Sequence, residues 1–184
     1  MKTLVVSGHT DLKNSVANKT ILETLEKELT NAEFDYLDSL YPDYKFDVKK
    51  EQGKLVDADV IVLQFPIFWY RTPSLLDKWM EDVFTHGFSH GSEGGALRGK
   101  KLVLSLTTGA GEELYQKDGL MGNAIEELLA PFKSICNMTG LIYAGYIYTG
   151  GVSYLSRNDE NAMKEMKLKS VEHANRVKNL VESL

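Results

Sequence analysis

The seven residues Gln64-Phe65-Pro66-Ile67-Phe68-Trp69-Tyr70 follow the apolar run Ala58-Asp59-Val60-Ile61-Val62-Leu63 and carry the strongest chemical signal in the chain. The β-branched run reads as a buried strand. Pro66 is expected to stop its pairing and throw a string of large side chains off the strand's carboxyl end. Ile67 and the aromatics Phe68, Trp69 and Tyr70 on a rigid turn make a wall for a flat, conjugated ligand, with backbone N–H groups left over for its polar edge. Taken alone, these aromatics also suit a core beneath a loop.

Two further loops turn the reading toward a ligand. Gly8 to Asn14 leads from a short apolar strand, Lys2 to Ser7, into a helix on which Val16, Ile21, Leu22, Leu25 and Leu29 recur at helical spacing, with Ser15 or Asn14 as N-cap. The unpaired N–H groups of such a helix start favour an anion. Ser15 and Asn18 add side-chain donors, and His9 donates a hydrogen bond or, when protonated, a charge. The loop has neither the Gly-Lys-Ser/Thr ending of a P-loop nor the glycine fingerprint of dinucleotide folds, and an ordinary capped loop explains it as well. Thr107-Thr108-Gly109-Ala110-Gly111 is a turn of small residues that lets N–H groups approach a ligand, and Tyr115 follows at a distance that returns its hydroxyl to the same rim.

Other reactive residues carry less. The adjacent Glu112 and Glu113 read as solvated loop carboxylates. His86 and His90 lie among flexible glycines with no third ligand at hand, so no metal site is expected. Cys136 has no local histidine, and without a Gly-x-Ser-x-Gly elbow nucleophilic hydrolysis has no support.

The elements that must position these loops alternate along the chain. A second strand is predicted over Glu33 to Leu40, then a turn and a short helix from Glu51 to Val56. A third strand covers Asp59 to Phe65, and a helix runs from Thr72 or Pro73 to Phe84 with Thr72 as N-cap. After the glycine-rich loop Thr85 to Gly99 come a strand over Lys101 to Thr107, a helix over about Asn123 to Ile135, a strand over Leu141 to Tyr148 and a last helix from Asn158 to Leu184. This is an α/β pattern: one domain, residues 1–184, with a five-stranded parallel sheet in a three-layer sandwich. Right-handed crossovers give the order 2-1-3-4-5, the flavodoxin-like arrangement, whose ligand crevice lies between strands one and three. All three loops then converge on one rim.

Composition narrows the function. A net charge of −5 on 184 residues argues against nucleic acid, and the lysines around Lys49 and Lys167 alternate with carboxylates as solvated faces do. A single cysteine suits a reducing compartment, the apolar start is too short for a signal peptide, and no stretch approaches membrane-spanning length, so a cytoplasmic protein without direct membrane insertion is expected.

Several motifs in order resemble one family: His9, Ser15-Val16-Ala17-Asn18-Lys19, Leu40-Tyr41-Pro42-Asp43, Gln64 to Tyr70, Lys78 to Phe84, Ala96-Leu97-Arg98-Gly99-Lys100 and Thr107-Thr108-Gly109. Together they are similar to the flavodoxin-like NAD(P)H dehydrogenases of the DT-diaphorase type. The nearest likeness is to short bacterial members such as the ancillary oxidoreductase of the glutathione-gated potassium efflux system and general stress proteins. The resemblance implies a flavin, FMN or alternatively FAD, with NAD(P)H as co-substrate and two-electron ping-pong transfer through flavin N5 to a quinone-like acceptor. It implies that His9, Ser15, Val16, Ala17 and Asn18 hold the flavin phosphate. Pro66, Ile67, Phe68, Trp69 and Tyr70 would flank the ring, with the N–H groups of Ile67, Phe68 and Trp69 on its N5 and O4 edge. Thr107, Thr108, Gly109 and Ala110 would cover its pyrimidine edge. Tyr115 falls where mammalian-type enzymes have a tyrosine assisting hydride transfer. Phe68 stands in place of a glutamine, and the tyrosine's histidine partner would fall near Met121, where there is none. The alternative implied function is a regulatory flavoprotein subunit of a potassium efflux system or similar membrane-protein partner. Family members are homodimers, and Tyr41, Tyr44, Phe46, Phe84 and Phe88 are the aromatics expected to line such an interface.

Overall fold

A computed structural model describes residues 1–184. Its strands β1 Thr3–Ser7, β2 Ala32–Tyr36, β3 Val60–Pro66, β4 Lys101–Thr107 and β5 Ile142–Thr149 form one sheet in the order β2-β1-β3-β4-β5, every pairing parallel. The helices are α1 Val16–Glu28, α2 Leu37–Leu40, α3 Val48–Asp57, α4 Ser74–Val83, α5 Ile125–Leu128, α6 Ala130–Thr139 and α7 Glu160–Glu182.

Alternation along each strand divides the core between two faces. Leu4, Val6, Ile61, Leu63, Phe65, Leu104 and Leu106 point to one side and pack with Leu55, Leu75, Trp79 and Phe132 of α3, α4 and α6. Val5, Val60, Val62 and Val103 point to the other and pack with Ile21 and Leu25 of α1 and Ala174 and Val177 of α7. With both faces covered, β1 and β3 are buried along their whole length, which is why they read as continuous apolar runs.

The element order matches the sequence reading, and the departures have local causes. β2 ends at Tyr36 rather than Leu40, because β1 offers only Thr3 to Ser7 for pairing; Leu37 to Leu40 then turn into α2 with Leu37 fully buried. Helix α3 begins at Val48, three residues before Glu51, since the Asp47 side chain accepts the Lys50 N–H at 3.1 Å and caps it. Thr72 does not cap α4; its hydroxyl donates to the Asp77 carboxylate, and Pro73 is the N-cap residue. The helix expected over Asn123 to Ile135 is broken at Leu129 into α5 and α6, with Pro131 in the first turn of α6, where its missing N–H costs nothing. Gly140, at φ 75°, ends α6 in the left-handed conformation.

Two buried polar groups fasten helices to the sheet. Glu51, fully buried on α3, accepts from Tyr41 Oη at 2.8 Å, Trp79 Nε1 at 2.9 Å and Lys54 Nζ at 2.7 Å. Lys54 also reaches Asp35 of β2 at 2.5 Å, and burial together with the Glu51 carboxylate pushes the Asp35 carboxyl up to about 7. On the opposite face His173 of α7, 0% exposed, lies between Ser105 Oγ at 2.8 Å and Thr149 Oγ1 at 2.9 Å.

Burial, reinforced by the Arg176 guanidinium, lowers the His173 pKa to about 3 from its ordinary 6.5. The fold therefore holds His173 neutral, and its contribution is complete above pH 6.5. Between 6.5 and 3 the unfolded chain binds a proton that the folded one does not, so stability falls with pH by about 1.4 kcal/mol per unit. Asp35 works in the opposite sense over much of that window, so the measurement is differential. The stability gap between wild type and His173→Gln, read from urea unfolding, should shrink steadily from pH 6.5 to 4. A gap independent of pH would show that His173 is protonated in the fold.

Candidate functional site

At the carboxyl edge of the sheet the strand order reverses direction, and Ser7 of β1 pairs with Gln64 of β3. Gly8 follows immediately, its N–H bonded to Gln64 O at 2.9 Å; a Cβ there would stand 2.7 Å from Leu76 of α4. Only glycine lets the first loop leave the sheet so close to α4. The loop then crosses a cavity of about 470 Å³, a volume typical of small-molecule sites, lined from the carboxyl ends of β1, β3, β4 and β5.

One end of the cavity is built for an anion. Ser15 caps α1, its Oγ accepting the Asn18 N–H at 3.3 Å and Asn18 Nδ2 at 3.2 Å, so its own proton remains to be donated. The N–H groups of Val16 and Ala17 have no partner in the chain. His9 Nδ1 accepts the Asp11 N–H at 2.9 Å, which places the ring proton on Nε2 as a donor. Burial lowers the His9 pKa, outweighing Asp38 and Asp11, so His9 acts as a neutral donor rather than a cation.

Asn18 is oriented from below. Its Oδ1 accepts from Gln64 Nε2 at 2.6 Å and from Thr107 Oγ1 at 3.2 Å, which turns Nδ2 toward Ser15. Gln64 is fully buried, and its Oε1, like Ser7 Oγ beside it, has no protein partner.

The other end is apolar, with backbone donors at its edge. Pro66 does not stop pairing: β3 keeps register with β4 through Pro66 and Thr107, and the Ile67 N–H extends the ladder to Thr107 O at 2.8 Å. The Phe68 N–H bonds Arg71 O at 2.9 Å and the Arg71 N–H returns to Phe68 O at 3.1 Å, closing a tight turn. The N–H groups of Ile67 and Phe68 are thus spent within the chain, against expectation; in this segment those of Trp69 and Tyr70 are free. The turn holds Trp69 at φ 48° and Tyr70 at φ 65°, the paired left-handed geometry of a type I′ turn. The Phe68 ring meets His9 edge-on at 5.7 Å. Across the cavity the N–H groups of Gly109 and Ala110 are unpartnered. A Cβ on Gly109 would meet only Ser153, at 3.6 Å, so glycine there leaves room on the cavity side rather than relieving a protein clash.

His9, Ser15, Val16, Ala17, Asn18, Pro66, Ile67, Phe68, Thr107, Thr108 and Gly109 line this single cavity. Trp69, Tyr70 and Ala110 stand outside the lining, Trp69 being 89% exposed. Tyr115 is buried and packs edge-on against Tyr148 at 6.2 Å, and Tyr148 Oη bonds Thr108 Oγ1 at 2.8 Å. The sequence reading missed the fourth wall: Val152, Ser153, Tyr154 and Arg157, between β5 and α7, with Met166 of α7. The Gly150-Gly151 pair after the last strand was the available signal, since ligands gather at strand carboxyl ends. It also missed the part played by Gln64, a lone amide in an otherwise apolar strand. The rings of His86 and His90 meet edge-on at 5.5 Å, and no group of three or more metal-ligating side chains surrounds them.

The chain is similar to several known proteins. The NAD(P)H oxidoreductase YrkL of Bacillus subtilis is 41% identical over 159 residues, 86% of this chain and 91% of that protein. The glutathione-regulated potassium-efflux system ancillary protein KefG of Cronobacter sakazakii is 37% identical over 140 residues, 74% of this chain and 76% of that protein. Among solved structures, general stress protein 14 of Treponema denticola in complex with FMN superposes with a TM-score of 0.87 at 28% identity, covering 98% of this chain and 99% of that one. An NADPH-quinone reductase from P. pentosaceus gives 0.78 at 29% identity, covering 95% and 98%. The family model described as a flavodoxin-like fold matches residues 1–174, and the chain belongs to that family.

Proposed function

We propose that this chain is an FMN-dependent NAD(P)H oxidoreductase that reduces a quinone-class acceptor. The observation that carries the reading is the polarity of the cavity: an anion seat at the start of α1, an apolar wall at Ile67 and Phe68, and unpartnered N–H groups beyond it. A flat ring joined to a phosphate has that division of chemistry. FMN, when bound, supplies the ring that accepts a hydride from NAD(P)H and hands two electrons on.

The chain's residues do the rest. Ser15 Oγ–H, His9 Nε2–H and the N–H groups of Val16 and Ala17 hold the phosphate, and Gln64 and Thr107 keep Asn18 turned to support Ser15. The free N–H groups of Gly109 and Ala110, and that of Trp69 on the rim, would be the donors available to negative charge on the ring. Tyr115 acts on the rim through Tyr148 and Thr108. A reducing cytoplasm is part of the same proposal, and no helix is long and apolar enough to cross a membrane.

Purified protein should be yellow, release FMN on denaturation, and oxidise NADPH several-fold faster with menadione than without. Protein that neither retains flavin nor shows quinone-dependent turnover would overturn the reading. The likeness to a potassium-efflux ancillary protein supports a second reading, a flavin-bearing subunit serving a membrane partner. FMN retention with no quinone-dependent turnover would favour it.

Assembly belongs to the proposal too. Of the aromatics expected at an interface, Tyr41 is buried against Phe46 at 5.0 Å, Phe84 packs on Trp79 at 5.7 Å, and Phe88 rests on the core; Tyr44 is exposed. Exposed aromatic surface gathers instead at Phe68, Trp69 and Tyr70. An isologous homodimer covering that rim fits it. Light scattering should give twice the 20.7 kDa chain mass, and Trp69→Asp should give the monomer. A monomeric wild type at micromolar concentration would refute the dimer.

The turn beneath that surface is strained, since left-handed non-glycine residues cost about 1–2 kcal/mol each. Replacing Trp69-Tyr70 by Asn-Gly, the pair a type I′ turn prefers, should raise chain stability by about 1–3 kcal/mol while lowering quinone turnover. Urea unfolding and steady-state rates test both halves. Unchanged turnover would show that the aromatic pair has no part in the reaction.

A further inference from the structure

We infer that Arg157, held over the Tyr154 ring, is the counter-ion that makes the cavity select a flavin bearing a terminal phosphate over one without it. The inference rests on the flavin reading above and assigns a group that reading leaves open: the positive charge. A phosphomonoester at neutral pH carries nearly two negative charges. The donors at the start of α1 bring no permanent charge: burial lowers the His9 pKa, and the remaining donors are a hydroxyl, amides and backbone N–H groups. Asp11, which also lines the cavity, adds a negative charge of its own. A helix start and neutral hydrogen bonds must therefore hold a dianion beside a carboxylate unless a cation joins them.

Arg157 is the one cationic side chain in the lining. The chain path brings it there. Val152 and Met166 pack on Ala17 and Val16, in the first turn of α1, so the segment leaving β5 passes beside the anion seat. Ser153 then caps a short 3₁₀ turn, Tyr154–Asn158, by accepting the Leu155 N–H at 3.2 Å. On this turn the Arg157 guanidinium lies over the Tyr154 ring, 3.7 Å from its centroid. Stacking of this kind fixes the guanidinium plane and leaves its edge N–H groups free. Arg157 has no ion pair or hydrogen bond within the chain, unlike Arg176, whose guanidinium bonds Tyr148 O and Thr149 Oγ1. A pre-set fork of five donors with no internal partner suits a phosphate's oxygens. Arg157 stands between this cavity and an outer groove that it shares with Lys164 and Lys167, and neither lysine lines the cavity itself.

The test is equilibrium binding of FMN and riboflavin to flavin-stripped protein, followed by flavin fluorescence. Wild type should prefer FMN strongly. Arg157→Gln should weaken FMN by tenfold or more, change riboflavin by less than twofold, and flatten the salt dependence of FMN binding. Arg157→Lys, which keeps the charge but loses the fork and the stacking, should fall between, and Tyr154→Phe should match wild type while Tyr154→Ala loses part of the preference. Equal loss of FMN and riboflavin in Arg157→Gln, or no loss of either, would overturn the inference while leaving the flavin reading in place. Wild type that binds neither flavin would overturn the flavin reading and this inference with it.

Discussion

The hydrogen bond from Gln64 Nε2 to Asn18 Oδ1, 2.6 Å long and fully enclosed, ties the sheet to the ligand-facing end of α1. Gln64 sits at the last β1 pairing of β3, and Asn18 in the first turn of α1, so the bond fixes where that helix begins relative to the strand ends. The donors at the start of α1 follow from it. Asn18 orients Ser15, Ser15 caps α1, and the cap leaves the N–H groups of Val16 and Ala17 pointing into the cavity. Breaking the bond would strand a second polar atom of a glutamine whose Oε1 already lacks a partner, at a cost of about 1–3 kcal/mol in a site without water access.

The two ends of the cavity use different physics. At the anion end, side chains and a helix start supply directed donors, and their geometry is relaxed: Ser15 is an ordinary N-cap in extended conformation. At the ring end the donors are backbone N–H groups of residues that sit in turns, and there the chain accepts strain. Trp69 and Tyr70 occupy a geometry in which Asn and Gly are the comfortable residues. Both the strain and the exposure of Trp69 run against folding stability, so something other than the isolated chain's stability maintains them. The proposed role of this rim, meeting a ring, a co-substrate and a second subunit, would account for both.

The sheet order and the convergence of three loops were legible because they depend on periodicity: buried strands read as apolar runs, and helices as recurring leucines and isoleucines. Strand and helix ends were less so. That β2 stops at Tyr36 depends on the length of its neighbour, which no local pattern in Glu33 to Leu40 reveals. The early start of α3 was readable in Asp47, three residues ahead of Lys50, whose N–H it accepts. At the site, residues on β1, β3 and β4 were found because their loops carry glycine, proline or a run of aromatics. Val152 to Arg157 were not, since nothing in Val-Ser-Tyr-Leu-Ser-Arg differs from an ordinary connection until Val152 is placed against Ala17. Which N–H groups remain free was also beyond the sequence. Ile67 and Phe68 lose theirs to β4 and to Arg71, contacts set by register and turn geometry rather than by residue type.

Burial and charge are balanced by keeping titratable groups out of the cavity floor. The floor, Asn18 and Thr107, and the layer beneath it, Gln64 and Ser7, are amides and hydroxyls whose protonation does not change with pH. His9 is held neutral by the same burial that makes it a directional donor. His173, whose pKa burial lowers, lies between Ser105 and Thr149 on the α7 side of the sheet. A floor of this kind can hold a phosphate without competing with it for protons, and it leaves any change of charge during reaction to the bound ring. Its weakness is the absence of fixed positive charge within that floor. A cation can be added only from the surface, where it stays hydrated until the ligand arrives; the last segment to cross the cavity, between β5 and α7, is the one that supplies it.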